Sequence, residues 1–76
     1  MQQNKDTRDF IKEKLYESGK SLNGFAFDAS IEPAILSRII NKKQGIKLDV
    51  LIKIAKELNI KLSEFFKELE DKNYNY

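Results

Sequence analysis

The sequence predicts an all-α fold: five short helices around one core, in a single domain of 76 residues. Three observations lead there. Apolar residues recur three and four positions apart in successive segments, the spacing of one helix face. Only three glycines and one proline interrupt these segments, and no stretch demands a strand. A chain of this length has room for one core, to which nearly every large apolar residue must contribute.

The first helix runs from Thr7 to Ser18, with Asp6 or Thr7 as its N-cap. Phe10, Ile11, Leu15 and Tyr16 form its apolar stripe, and the charges from Asp9 to Glu17 make a solvated, ion-paired face. Gly19 ends it, because glycine takes the left-handed conformation at little cost. Ser21 caps a second helix to about Ala29, with Leu22, Phe25, Ala26 and Ala29 on one side. Phe27 lies off that stripe and is read as a partly covered edge residue without a role. Pro33 cannot continue this helix, since it has no amide proton and its ring clashes with the carbonyl four residues back. It suits the first position of a third helix, to about Asn41, so Ser30-Ile31-Glu32 forms a sharp corner. The fourth helix, Leu48 to Leu58, shows a wide apolar face of Leu48, Leu51, Ile52, Ile54, Ala55 and Leu58. Ser63 opens the fifth, with Phe65, Phe66 and Leu69 inward. The core spans about 7–69, and residues 1–6 and 71–76 are expected to be flexible.

Composition excludes several function classes. The chain has no cysteine and no histidine, which removes disulfides, thiolate chemistry, the usual zinc sites and histidine general bases. No nucleophile–base pair or carboxylate dyad can be assembled at helical spacing, so no enzyme, metal, cofactor or small-molecule ligand is expected. No apolar run approaches bilayer length, and the start MQQNKDTRDF lacks a signal-peptide apolar region. A cytoplasmic location without disulfide staples is the expectation.

Net charge is +2, but it is unevenly spread. Residues 30–53 hold five basic side chains (Arg38, Lys42, Lys43, Lys47, Lys53) against two acidic ones, while the segments before and after are neutral or slightly acidic. A basic excess just past a corner is a footprint for phosphate binding, although Asn41-Lys42-Lys43-Gln44 also reads as an ordinary solvated loop. On a helical wheel Ile35, Leu36, Ile39 and Ile40 gather on one side of the third helix. Ala34, Ser37, Arg38 and Asn41 form the opposite edge. Small side chains with one fork-shaped cation make a poor solubilising surface, which long Lys and Glu side chains make better. They suit close approach to a DNA major groove, where arginine pairs with guanine.

These residues carry a resemblance. Leu22 to Asn41 resembles the helix-turn-helix of the lambda-repressor-like, XRE-type transcriptional regulators. The pattern's small residue in the first helix is Ala26, and its apolar positions around the turn are met by Phe25, Ala29, Ile31, Leu36 and Ile39. The likeness continues through LIKIAKEL (51–58) and LSEFF (62–66), covering roughly 7–69. Departures are specific. Ser30 and Lys42 stand where the family often has glycine, with Gly45 following three residues after Lys42. Leu15 and Ile40 replace an arginine–glutamate pair, Leu22 replaces a phosphate-binding glutamine, and Pro33 and Ala34 replace polar base-reading residues.

The resemblance implies a compact five-helix lambda-repressor-like domain that binds double-stranded DNA, with helix 33–41 in the major groove. It implies a transcriptional repressor reading a palindromic operator as a homodimer. Arg38 would contact a base edge, with Ser37 and Asn41 assisting and Ala34 and Pro33 at most touching a thymine methyl. Asn23, Asn41, Lys42, Lys43, Gln44 and Lys47 would hold phosphates. Phe65, Phe66, Leu69, Tyr74 and Tyr76 offer a dimer surface. A phage repressor, an antitoxin and a restriction-system controller all fit, and a regulatory protein partner is compatible with each. The alternative is a helical protein-interaction module that keeps the fold without DNA binding.

Overall fold

Phe10, Phe25 and Phe65 are among the largest side chains that reach essentially zero exposure, and the helices are arranged around them. The computed structural model describes residues 5–74. It contains α1 (Thr7–Ser18), α2 (Leu22–Asp28), α3 (Pro33–Ile40), α4 (Leu48–Glu57) and α5 (Leu62–Asp71), with no strand among the described residues. All five helices contribute to one buried cluster. The ring of Phe10 meets that of Phe65 edge to face, with centroids 4.9 Å apart, which joins the first helix to the last. Truncating a buried phenylalanine of this kind to alanine costs about 3–5 kcal/mol.

Asp6 is the cap of α1. It accepts from the Arg8 amide at 2.8 Å, while its own amide donates to Asp9 Oδ2 at 2.9 Å, a reciprocal capping box. Gly19 closes α1 at φ 73°, as its position in the sequence predicts. The other four helices end alike, but without glycine. Ser30, Lys42, Asn59 and Asn73 each adopt a left-handed conformation, with φ between 57° and 61°. In every case the next amide reaches back to the carbonyl five residues earlier: Ile31 to Ala26 at 2.8 Å, Lys43 to Arg38 at 2.8 Å, Ile60 to Ala55 at 3.1 Å and Tyr74 to Leu69 at 2.9 Å. These are Schellman turns, which satisfy carbonyls the helix itself leaves open.

Several faces differ from the sequence pattern. Tyr16, placed on the apolar stripe of α1, is 69% exposed; Leu48 and Ile52, placed on that of α4, are 63% and 41% exposed. A helix of ten residues can turn only part of its surface to a core this small, and Leu51, Ile54 and Ala55 occupy that part. Phe27 is also exposed, at 83%, rather than partly covered. The fifth helix begins at Leu62, with Lys61 at the cap, rather than at Ser63. Ile60 and Leu62 both pack on the core there, and burial of two large aliphatic side chains outweighs a hydroxyl cap worth about 1 kcal/mol.

Contacts reach beyond residues 7–69 at both ends. Asp6 is structural, and α5 continues to Asp71. Tyr74 lies against Phe10, with centroids 5.6 Å apart, and its hydroxyl donates to the Glu13 carboxylate of α1. The ring of Tyr74 thus has an apolar seat and its hydroxyl an ionic acceptor. Residues 1–4, 75 and 76 lie outside the described residues. The bond to Glu13 pushes the Tyr74 phenol up to about 12, and the same bond, followed by the Lys72 charge, lowers Glu13.

Two outcomes are expected. Ser30→Gly raises stability by about 0.5–1 kcal/mol, because relief of the left-handed penalty exceeds the added entropy of the unfolded chain; the urea midpoint measures it. Tyr74→Phe lowers stability at neutral pH. Its deficit shrinks as pH falls below 4.5 through the depressed Glu13 value, where the carboxylate is lost, and as pH rises from 10 toward 12, where the phenol ionises. Urea unfolding of both proteins across pH tests the sign at each end.

Candidate nucleic-acid interface

The site is built from the corner upward. Ile31, just past α2, is buried, and its amide bond to Ala26 forces Ser30 into the left-handed conformation. Lys53 of α4 donates to the Ser30 carbonyl at 3.2 Å, fastening the corner to the body of the domain. Pro33 then opens α3 at its first position. Leu36, Ile39 and Ile40 are buried and Ile35 packs beside them, so the inward face of α3 is fixed. Leu15 and Ile40, standing where relatives carry an ion pair, are both in the core. Replacing a buried pair by packed aliphatic side chains is often neutral or stabilising.

With that face inward, Pro33, Ala34, Arg38 and Asn41 project into solvent, and Ser37 is half-buried among them. No other part of the described chain covers this edge. Arg38 is not loose: its Nε donates to Gln44 Oε1 at 2.6 Å. The Asn41 amide turns back on its own helix, donating to the Ser37 carbonyl at 2.9 Å.

The basic residues around α3 divide in two. The side chains of Lys43 and Lys47 are in exposed positions and have no hydrogen-bond or ion-pair partner among the described residues. Lys42 is engaged internally, with Nζ 3.0 Å from Asp9 and 3.8 Å from Asp6. Two carboxylates at the start of α1 draw it across, so that it braces α1 against the end of α3. Gln44 is likewise bonded within the chain. Asn23 stands exposed in the first turn of α2, and Leu22 is half-buried against the core.

The dimer residues need correction. Phe65 and Leu69 have no exposed surface, because the single core takes both, so neither side chain can meet a second copy. Phe66 is half-buried, packed edge to face on Phe65, and Tyr74 is half-buried on Phe10. Tyr76 lies outside the described residues. Instead, Leu48 and Ile52, one turn apart on α4, form an exposed apolar edge. No sequence pattern marks Arg8, whose Nη1 donates to the Gln44 carbonyl at 3.2 Å across 36 positions. Among the described residues, no helix is long and apolar enough to cross a membrane, and no acidic group could hold a metal ion.

A family model described as helix-turn-helix matches residues 11–65. Solved structures of the restriction-modification controller protein C.Esp1396I share the fold. Its wild type is 22% identical, covering 86% of this chain and 84% of that one, with a TM-score of 0.77. A tyrosine-to-phenylalanine mutant of it bound to its highest-affinity operator site is also 22% identical, covers 86% of each chain and has a TM-score of 0.78. No curated protein matches the sequence significantly. The matched span runs from inside α1 through the corner and the exposed edge of α3 into α5, and the chain belongs to the helix-turn-helix family.

Proposed function

We propose that the protein is a sequence-specific regulator of transcription that binds double-stranded DNA in the cytoplasm, with α3 in the major groove. The observation that carries this is the open edge of α3, with one arginine rising among small side chains from a corner pinned by Ile31 and Lys53. Arg38 reads a base edge, guanine by its geometry of donors, beside Ser37, Ala34 and Pro33. Asn23, Asn41, Lys43 and Lys47 fix register on the phosphates. The likeness in fold to an operator-bound controller protein supports the same mode.

One small domain makes few contacts, so the working form is a homodimer acting as a repressor at a palindromic operator. The copies meet through Leu48 and Ile52 of α4, with Phe66 and Tyr74 as further half-buried candidates. The exposed ring of Phe27 favours a second reading, in which this fold serves protein–protein contact without DNA.

Salt separates the two. DNA affinity of a dimer neutralising several phosphates falls roughly 10³-fold or more between about 50 and 200 mM salt. Binding through an apolar protein surface changes little. Selection of random duplexes on the purified protein then reports symmetry and spacing of the site. Arg38→Ala costs about 1–3 kcal/mol on the selected site and relaxes preference at one position; Lys43→Ala weakens all sequences alike and lowers the salt slope by about one. An Arg38→Ala protein with unchanged preference overturns the assignment of α3. For the interface, Leu48→Lys and Ile52→Lys yield folded monomers in sedimentation experiments and lose cooperative binding to paired half-sites. Dimers that persist in both variants place the contact elsewhere.

A further inference from the structure

We propose that Gln44 is a positioning residue for Arg38, and that Arg8, from the first turn of α1, holds Gln44 in place. This rests on the reading of Arg38 as the base contact.

A guanidinium has five N–H donors in a fixed plane, and recognition of guanine uses two of them in parallel, toward O6 and N7. Arg38 spends its Nε–H on Gln44 Oε1, at 2.6 Å. Its terminal nitrogens, Nη1 and Nη2, keep no partner among the described residues, so the end of the fork remains available for a base. An amide is the acceptor suited to this place. A carboxylate would bind the arginine more tightly, but it would neutralise the cation and repel the phosphates.

Gln44 lies in the loop after α3, next to Gly45, where a side chain would ordinarily wander. Its backbone is held instead. Arg8 Nη1 donates to the Gln44 carbonyl at 3.2 Å, and Arg8 is itself clamped by Asp6, with Nη2 to Oδ2 at 2.6 Å and Nε at 3.2 Å from each oxygen. Asp6 is anchored as the cap of α1. The Asp6 carboxyl is accordingly held below its usual range, chiefly by its bond to Arg8. A continuous set of charge-assisted bonds therefore runs from the first turn of α1 to the reading guanidinium, so that Arg38 is ordered before DNA arrives. Preordering one long side chain is worth about 3- to 10-fold in binding.

The test is a double-mutant cycle on the full chain: wild type, Gln44→Ala, Arg38→Ala and the double variant. Each is titrated with the selected duplex and with one whose guanine is replaced, with salt dependence measured throughout. The expected result is a loss of about 3- to 10-fold for Gln44→Ala on the guanine duplex, no further loss in the Arg38→Ala background, and an unchanged salt slope. Gln44→Glu, which keeps the acceptor, retains the preference for guanine while weakening all duplexes. In the free protein, the Arg38 Nε–H resonance is protected from exchange and loses that protection in Gln44→Ala. A Gln44→Ala loss that is equal on both duplexes, lowers the salt slope, or persists in the Arg38→Ala background overturns the proposal and makes Gln44 a phosphate contact. If Arg38→Ala alone leaves base preference intact, the reading of Arg38 fails first, and the role of Gln44 falls with it.

Discussion

Burial of Ile31 is the constraint on which the rest of this molecule depends. The residue follows the cap of α2 by two positions, and its side chain can reach the core only if the chain reverses at Ser30. Ser30 therefore accepts a left-handed conformation that costs an ordinary side chain roughly 1–2 kcal/mol. In return the Ile31 amide satisfies the Ala26 carbonyl, and burying an isoleucine contributes about 1.5–3 kcal/mol. The balance favours the turn. Once it forms, Pro33 follows at the right place to start α3, and the direction of that helix is no longer free. Lys53 adds a tether from α4 to the same carbonyl that Ser30 presents at the bend.

The sequence made the helices, their order and the inward face of α3 legible, because those features obey local rules. Phe10, Ile11 and Leu15 repeat at helical spacing, and Leu36, Ile39 and Ile40 do the same. What escaped was of two kinds. The first was the choice among apolar residues when there are more than the core can take. Tyr16, Leu48, Ile52 and Phe27 look like core candidates, yet the volume around Phe10, Phe25 and Phe65 is filled before they are reached. The excess in the other direction misplaced Phe65 and Leu69, whose burial leaves nothing to share with a partner. The second was contact between distant positions. Arg8 with Gln44, Lys14 with Glu68, and Tyr74 with Glu13 each join residues at least 36 apart, and no periodicity registers them.

The helix ends teach a related point. A search for glycine finds Gly19 and misses four further left-handed positions, because Ser30, Lys42, Asn59 and Asn73 carry side chains. The signal lay one residue later. Ile31, Ile60 and Tyr74 are apolar residues immediately after a helix end, and their pull toward the core selects the turn. At the fourth such end, Lys42 is held by the acidic start of α1 instead, so a charge pair does there what an apolar contact does elsewhere.

The two sides of α3 are under separate masters. Every buried side chain of this helix points inward, and Ala34 and Arg38 can change without disturbing a buried neighbour. Changes on the outer side of α3 are thus uncoupled from changes in the core. Under the function proposed above, a lineage can drift to a new DNA target through a few exposed positions while the buried side of α3 stays as it is.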